Sequence, residues 1–202
     1  MSDRFKFALP EGISQLTIYA QDELVVRGSE RADLSVACDE EPSLQTTDAG
    51  ALLRLADDAE VEVPAQLALL IAQVGDDLNL RSLLGQVRVE AAPDDVSIKH
   101  CGQVTLGRVQ GDLSAQEVQR LEAASVDDDV SVRNVQALTL GAVGGDLSVS
   151  QAGAVAVESV GGDAALTNIQ GDVEIESVAK DLTASNVGGA LHVAAVGSDA
   201  VI

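Results

Sequence analysis

Residues 143–159 read VGGDLSVSQAGAVAVES, and the chain continues with VGGDAALTN (160–168), IQGDVEIES (169–177), VAKDLTASN (178–186) and VGGALHVAA (187–195). Each unit opens on a hydrophobic residue, passes through a short turn that is often Gly-Asp, and continues into a run that alternates apolar and polar residues. The units follow one another every eight or nine residues, and two of them make a longer period of 17 or 18. A fixed period of this kind predicts an architecture of stacked, equivalent coils.

The residues that open the units define the register of the repeat. In chain order they are Val74, Leu83, Ala92, His100, Val109, Val118, Val126, Val135, Val143, Ala152, Val160, Ile169, Val178, Val187 and Val196. We interpret two consecutive units as one coil.

The alternating runs predict strands of three to four residues with their apolar side chains on one face. Strands this short are not stable alone, so each must pair with the equivalent strand one coil away. The predicted fold class is therefore all-β: a single-domain parallel β-solenoid, of the β-helix or β-roll type. It has 17–18 residues per coil and about ten coils, is expected to be right-handed, and would be roughly 50 Å tall at about 4.8 Å per coil.

Stacking predicts three inward columns of aliphatic side chains. One contains Leu78, Val96, Leu113, Val130, Leu147, Ala164, Leu182 and Ala200; a second contains Leu80, Ile98, Ala115, Val132, Val149, Leu166, Ala184 and Ile202; a third contains Val87, Val104, Leu121, Leu138, Val155, Val173 and Leu191. The composition agrees, because 46% of the residues are hydrophobic but only 1% are aromatic.

The whole chain, residues 1–202, is predicted to form this one domain. Residues 74–202 hold the most regular coils, and the register is expected to continue upstream because Val61 precedes Leu78 by 17 residues and Leu69 precedes Val87 by 18. Residues 1–12, with Phe5 and Phe7, are interpreted as an N-terminal cap strand. The polar stretch DEEPSLQTTDAG, residues 39–50, is interpreted as a loop that protrudes from an early coil.

Charge and targeting signals narrow the partners and the location. With 33 acidic and 12 basic residues the net charge is −21, which disfavours nucleic acid and anionic membrane surfaces as partners. The N-terminal sequence lacks the pattern of a secretory signal, so a cytoplasmic location is expected. Cys38 and Cys101 lie far apart in the chain and are interpreted as reduced thiols.

An aspartate recurs three residues after the opening residue of each coil and forms a predicted column: Asp77, Asp95, Asp112, Asp129, Asp146, Asp163, Asp181 and Asp199. Neighbouring carboxylates at this spacing repel, so something must offset the repulsion. One interpretation is that each carboxylate accepts a hydrogen bond from a backbone N–H in its own turn. The other is that the column binds divalent cations such as Ca²⁺.

A second polar column holds Glu117, Asn134, Gln151, Asn168 and Asn186. It is interpreted as a ladder of side-chain amides or as a set of left-handed corner residues. His100 occupies an opening position and is therefore expected to point inward as a hydrogen-bonded core histidine. His192 alternates with Leu191 and Val193 and is expected at the surface.

No nucleophile paired with a base stands out from the repeat, so no catalytic residue and no cofactor are predicted. Residues 134–202 contain one Lys or Arg, Lys180, and no aromatic residue, unlike the grooves of polysaccharide-cleaving β-helix enzymes. A non-enzymatic protein is expected.

The segments VGGDLSVS, IQGDVEIES and VQGDLSA, preceded by an upstream strand that ends in VEVP, resemble the putative-adhesin family of bacterial Gly-Asp-Val repeat domains. The resemblance covers roughly residues 13–202. It implies a parallel β-solenoid without known catalytic residues, in a family found in cell-surface and envelope-stress contexts. The chain is more distantly similar to bactofilins, cytoskeletal β-solenoids that polymerise end to end.

The last coil, which ends in Gly-Ser-Asp-Ala-Val-Ile202, carries no capping helix, proline or lysine. Because unpaired strand edges associate, Ala200, Val201 and Ile202 are predicted to mediate self-association into a tail-to-tail dimer or a head-to-tail filament. The sequence therefore predicts a structural or scaffold β-solenoid. The alternative is a binding or envelope-stress sensor module that uses an acidic face and binds cations through the aspartate column.

Overall fold

The computed structural model describes residues 3–10, 12–47 and 50–202 of the chain. Within these ranges the secondary structure is entirely β. The strands are β1 (Asp3–Phe7), β2 (Gln15–Ala20), β3 (Leu24–Ser29), β4 (Leu34–Cys38), β5 (Ser43–Thr47), β6 (Gly50–Leu55), β7 (Ala59–Pro64), β8 (Ala68–Gln73), β9 (Leu78–Arg81), β10 (Gln86–Ala92), β11 (Val96–Val109), β12 (Leu113–Val126), β13 (Val130–Val143), β14 (Leu147–Val160), β15 (Ala164–Ile169), β16 (Val173–Val178), β17 (Leu182–Val187), β18 (Leu191–Val196) and β19 (Ala200–Val201). No helix in the described part of the chain is long and apolar enough to cross a membrane.

The strands form one continuous sheet that winds into a flattened parallel solenoid, so the predicted fold class is confirmed. From β8 onward the coils stack in chain order for about eight turns. Each coil has two faces. Face 1 carries the Val96 column and face 2 carries the Val104 column, and β11 to β14 each run along face 1, round a corner and along face 2.

The three predicted inward columns are confirmed by the strand register. Val96 pairs with Leu113, Ile98 with Ala115 and Val104 with Leu121, and the same pairings repeat in the following coils. The column that contains Ile98 ends at Ala184, because Ile202 lies beyond the last paired strand. Residues 115–125, which have some helical propensity, lie in strand β12 because their apolar side chains keep this register.

The core consists of small aliphatic side chains, and most of them are almost inaccessible to solvent. Fully burying one valine or leucine stabilises the fold by about 1.5–3 kcal/mol, so repetition of the same inward positions stabilises a long, narrow core. The few aromatic side chains lie toward the N-terminal end, where Phe5 and Phe7 pack against the core only in part and Tyr19 stacks under the guanidinium of Arg54.

The N-terminal coils are not stacked in chain order, and here the expectation of a continuous register is wrong. Strand β2 lies between β6 and β8, and β3 lies between β7 and β9. The coil β2–β3 is thus inserted between two coils that are neighbours in the sequence. Val61 stacks on Val26, which stacks on Leu80, so its spacing of 17 residues from Leu78 does not reflect contact. Leu69 does pair with Val87 as predicted.

The insertion is made by a reversal of the chain. After β3, strand β4 runs antiparallel against β7, and β5 runs antiparallel against β6. The interpretation of residues 39–50 as a protruding loop is therefore wrong for Ser43–Thr47, which form a strand. Asp48 and Ala49 of that segment lie outside the described residues.

Strand β1 pairs antiparallel with β4 and forms the outermost strand of face 1 at this end. It lies within residues 1–12, of which Met1, Ser2 and Glu11 are not described. Strands β1, β4 and β5 together close the N-terminal end of the solenoid with strands that run against its winding.

Candidate functional site

The aspartate column lies at the corner where face 2 leads into face 1 of the next coil. The six carboxylates from Asp95 to Asp181 each accept a hydrogen bond through Oδ1, but the donor is the backbone N–H of the aspartate one coil further on. Asp95 accepts from Asp112 at 2.7 Å, and the N–O distances in the following steps up to Asp199 are 2.7 to 3.1 Å. The expectation of a donor in the same turn is wrong, because the corner directs the N–H along the solenoid axis.

The hydrogen-bonded column, called here the aspartate ladder, therefore joins successive coils. Each charge-assisted bond offsets part of the repulsion between neighbouring carboxylates and contributes about 1 kcal/mol at an exposed site. A similar bond lies at the other half-coil, where Asp172 Oδ1 accepts from the N–H of Ala190 at 2.8 Å. Another lies in the N-terminal region, where Asp58 Oδ1 accepts from the N–H of Glu23 at 3.2 Å. That bond could not be found from the repeat period, since the two coils are out of chain order.

Asp77, the first predicted member of the column, is not part of the ladder in the described structure. Its carboxylate lies with those of Asp76 and Asp94, all with oxygens within 4.8 Å of one another. The pKa of Asp94 is raised above its ordinary value, first by desolvation and then by repulsion from Asp77, Asp95 and Asp76. This group of carboxylates marks the junction between the N-terminal region and the regular coils.

The opposite corner of each coil contains a residue in the left-handed conformation. These residues are Ser82, His100, Glu117, Asn134, Gln151, Asn168 and Asn186, with φ between 55° and 60°. The second polar column thus consists of left-handed corner residues, as one of the two interpretations proposed. The other interpretation is realised at one step, where Asn186 Nδ2 donates to Asn168 Oδ1 at 2.9 Å.

His100 belongs to this left-handed column and does not point inward, so its predicted place in the core is wrong. Its imidazole is exposed, and Nδ1 lies 2.8 Å from Glu117 Oε2. The inward position is occupied by Cys101, which stacks on Val118. The spacing of the units alone does not determine which of two adjacent residues points inward. The preference for burying the less polar side chain does, and here it selects Cys101.

The left-handed corner borders a shallow groove of about 770 Å³ between residues 134 and 188. The groove is lined by six carboxamide side chains, from Asn134, Gln136, Gln151, Asn168, Gln170 and Asn186. Its other lining residues are Val135, Ala152, Gly153, Ile169, Val187 and Gly188, so every residue that lines it is uncharged. The corner amides of the groove follow from the repeat, whereas Gln136 and Gln170, which lie two residues further on, do not.

Face 2 carries a different depression, of about 600 Å³, above small residues such as Ala124 and Gly141. Its charged lining residues are Glu122, Glu158, Glu174 and Glu176. This acidic depression is the feature that best corresponds to the predicted acidic binding face.

The two cysteines are free and buried. Burial raises the pKa of the Cys101 thiol, although hydrogen bonding with the backbone at Leu83 and Lys99 lowers it in part. Burial also raises the pKa of Cys38, with a further contribution from Asp57. Both thiols are therefore protonated at neutral pH, which makes them poor nucleophiles.

The coil that ends at Ile202 leaves its hydrophobic residues open to solvent. The exposed fraction is 62% for Val201 and 81% for Ile202, and Leu191, Val193 and Val196 are only partly buried. Strand β18 pairs with β16 and β19 pairs with β17, each on one side only. This end of the solenoid therefore presents both apolar side chains and unpaired backbone groups.

Three solved structures of bacterial proteins match the full length of the chain. A putative adhesin from Parabacteroides distasonis has a TM-score of 0.50 at 12% identity and covers 100% of this chain and 97% of its own. A putative adhesin from Parabacteroides merdae has a TM-score of 0.48 at 8% identity, with coverage of 100% and 96%. A putative adhesin from Bacteroides fragilis has a TM-score of 0.36 at 13% identity, with coverage of 100% and 97%.

No family model matches the sequence, and no curated protein does either. The chain therefore shares the β-solenoid fold of the Parabacteroides distasonis structure, and the predicted resemblance to the putative adhesins is confirmed at the level of the fold. The matched structures are named as putative adhesins and not as enzymes. The more distant likeness to bactofilins stays a prediction.

Proposed function

We propose that the protein is a non-enzymatic structural β-solenoid whose C-terminal coil associates with the same coil of a second copy. The observation that supports this proposal is the open end formed by β18 and β19, with Val201 and Ile202 exposed beside the partly buried Leu191, Val193 and Val196. Exposed apolar residues next to an unpaired strand edge favour pairing with another chain.

The charge distribution supports a second copy as the partner. Although the net charge is −21, residues 182–202 carry only one Asp, Glu, Lys or Arg side chain, Asp199. Two such ends can therefore approach with little local repulsion, while the acidic coils behind them keep the assembly soluble.

The opposite end supports a tail-to-tail arrangement over a filament. There the outermost strand of face 1, β1, exposes Arg4 and Lys6 and runs antiparallel to its neighbour β4. Charged side chains on an edge strand disfavour the addition of another strand. A closed dimer through the C-terminal coils uses the open end of each chain and leaves the protected ends outside.

Light scattering coupled to size exclusion tests this proposal on the full chain over a wide concentration range. We expect a dimer that dissociates when both Val201 and Ile202 are changed to lysine. The matched control is Leu84→Lys, because Leu84 is the other large hydrophobic residue that the described structure exposes, at 54%, and it lies away from this end. The control is expected to remain dimeric.

A strictly monomeric wild-type chain at high concentration would overturn the proposal. Dimers that persist in the double lysine variant would place the interface elsewhere, and filaments in negative-stain micrographs would contradict the closed arrangement.

The second candidate is a binding or sensor module that uses the acidic surface, supported by the glutamate-lined depression on face 2 and by the crowded carboxylates of Asp76, Asp77 and Asp94. A cation bound only by the folded protein raises the melting temperature. This candidate would be favoured if CaCl₂ raises the melting temperature more than NaCl of equal ionic strength does, and if the Asp94→Asn variant loses this difference. The scaffold proposal expects equal effects of the two salts.

The other predictions on partners and location also await experiments. They comprise the cytoplasmic location, the lack of a cofactor, and the lack of binding to nucleic acid or to anionic membranes. The net charge of −21 supports the lack of binding to nucleic acid and to anionic membranes.

A further inference from the structure

We propose that the amide-lined groove at the left-handed corner binds a neutral, linear polysaccharide. The groove lies on the left-handed corner, reaches the C-terminal coil only at Asn186 to Gly188, and is formed by the six carboxamides of Asn134, Gln136, Gln151, Asn168, Gln170 and Asn186. Nothing in the proposed scaffold function requires this surface, so the two proposals can fail separately.

The chemistry of the groove selects a neutral polar ligand. A carboxamide offers two N–H donors and a carbonyl acceptor without net charge, which matches a hydroxyl group that both donates and accepts. All lining residues are uncharged in a protein whose net charge is −21. Arg133 lies beside the groove, where its Nε donates to Gln151 Oε1 at 3.5 Å, but the lining residues themselves include no cation and no carboxylate. The lining therefore offers neither an anion nor a cation a partner of opposite charge.

The backbone of the groove excludes a peptide that binds by adding a strand. Strand addition requires an unpaired sheet edge. Strand β14 lies between β13 and the pair β15 and β16, and these strands pair in turn with β17 and β18. Only the outermost part of the groove, at Asn186 to Gly188, borders an open strand edge. Over the rest of its length the groove offers side-chain amides and not backbone groups.

The shape of the groove is set by residues without a side chain. A Cβ atom at Gly153 would lie 2.2 Å from the carbonyl oxygen of Gln136, and one at Gly188 would lie 2.7 Å from that of Gln170. Both positions therefore require glycine. Because Gly153 and Gly188 alternate along the axis with Gln136 and Gln170, the wall formed by these glutamines has gaps at every second coil.

The spacing of the amides matches an extended sugar chain. Corner residues follow one another at the coil spacing of about 4.8 Å, which is close to the length of one hexose unit in an extended β-linked chain. In such a chain successive units are turned over, so equivalent edges return at every second unit, as the gaps of the glutamine wall do. The hydrogen bond from Asn186 to Asn168 shows that neighbouring corner amides lie close enough to bind one ligand together.

Isothermal titration of the full chain with a neutral β-linked glucose hexasaccharide tests the proposal. We expect the hexasaccharide to bind. Glucose itself and an acidic oligogalacturonate of the same length should bind at least tenfold more weakly than the neutral hexasaccharide. Gln136→Ala combined with Gln170→Ala removes one wall of the groove. Gln151→Gly combined with Asn168→Gly removes the two central amides of the other wall, and glycine tolerates the left-handed backbone at both positions.

Each wall variant is expected to lose at least tenfold in affinity without a change in circular dichroism. The matched controls are Gln110→Ala, at the aspartate corner, and Ser82→Gly, a left-handed corner residue outside the groove. Both should bind as the wild type does.

Three outcomes would overturn the proposal. They are no binding of the neutral hexasaccharide at millimolar concentration, equal binding of the acidic oligosaccharide, and unchanged affinity in both wall variants. A change of molar mass in the wall variants would instead assign the groove to contact between two copies of the chain, which also contradicts the proposal.

Discussion

The described residues up to Arg81 and those from Ser82 to Ile202 build the same kind of coil but stack it in different ways. In the regular region each coil lies on the coil that precedes it in the chain. In the N-terminal region the coil β2–β3 lies between β6–β7 and β8–β9, and antiparallel strands close the end. In the described residues the N-terminal coils are covered by the antiparallel strands β1, β4 and β5, whereas the coil of β18 and β19 exposes Val201 and Ile202.

The difference shows what a repeat does and does not encode. Every coil presents a similar aliphatic surface to its neighbours, so the repeat defines the shape of a coil without defining which coil lies next to it. In the N-terminal region the order is set by the reversal through β4 and β5. In the regular region the short connections between strands leave no other order.

The largest effect is expected from one substitution made in both regions. Leu16 and Leu191 lie in the same inward column, but Leu16 is completely buried between Ala51 and Leu69, whereas Leu191 lies in the last coil and pairs only with Val173. Leu16→Ala should lower the free energy of unfolding by about 2–5 kcal/mol. Leu191→Ala should lower it by about 1 kcal/mol, because less apolar surface is lost from the core.

Urea unfolding followed by circular dichroism measures both changes. The comparison is made in the background with Val201 and Ile202 changed to lysine, so that association of the open end does not bury Leu191. If both variants lose the same free energy of unfolding, the last coil is as well buried as the inserted coil β2–β3, which would contradict this prediction.

A smaller effect is expected from the aspartate ladder, which the regular region has and the junction lacks. Asp146 accepts a hydrogen bond from the N–H of Asp163 at 2.8 Å, whereas Asp77 lies outside the ladder. Asp146→Ala should destabilise the protein by about 1 kcal/mol, and Asp146→Asn by less than half of that, because the amide keeps an acceptor oxygen. Asp77→Ala should not destabilise it. If Asp77→Ala lowers the stability of the protein as much as Asp146→Ala does, the stabilising role of the aspartate ladder is contradicted.

The left-handed corner predicts a gain of stability. Gln151 has φ of 60°, a conformation that disfavours residues with a Cβ atom. Gln151→Gly should raise the free energy of unfolding by up to about 1 kcal/mol. Gln136 lies outside the left-handed column, and Gln136→Gly should lower the free energy of unfolding, because glycine at this position only increases the conformational entropy of the unfolded chain. Thermal unfolding of the two variants gives opposite shifts if this assignment is right.

The smallest effect is expected at the junction and depends on pH. Because the pKa of Asp94 is raised, the folded protein holds this proton more tightly than the unfolded chain does, so stability falls as the pH rises above the ordinary value of 3.8 and through the raised pKa. Asp94→Asn should therefore raise the melting temperature at neutral pH, and the gain should disappear below pH 3.8. A gain that is independent of pH would show that the ionisation of Asp94, disfavoured by desolvation and by repulsion from Asp77, is not its cause.

The fold could be predicted because its signals are local and repeated. Period-two alternation specifies which side chains point inward, and the period of 17 or 18 residues specifies which positions stack, as the column from Val96 to Leu182 shows. The period alone does not specify whether His100 or Cys101 points inward, because it defines position only to within one residue. The left-handed backbone at the corner directs His100 outward.

The candidate sites were predictable only in part. The aspartate and amide columns follow from the repeat, but the donor to each carboxylate depends on the direction of the N–H at the corner. Gln136 and Gln170 lie at a position where Gly102, Gly153 and Gly188 occur in other coils, so they do not form a continuous column in the sequence. The groove that they border requires the three-dimensional arrangement of four successive corners.

The sequence by itself determined the coil: its length, its two short strands, its aliphatic interior, its polar corners and its acidic surface. These properties depend on residues that are close in the chain and on the identity of side chains. The tertiary structure alone decided the insertion of β2–β3, the closure of one end by antiparallel strands, the bonds between successive aspartates and the shape of the amide-lined groove. These properties depend on which of several similar coil surfaces contact each other. Because the surfaces are similar, the amino-acid sequence of a coil does not specify which other coil it contacts.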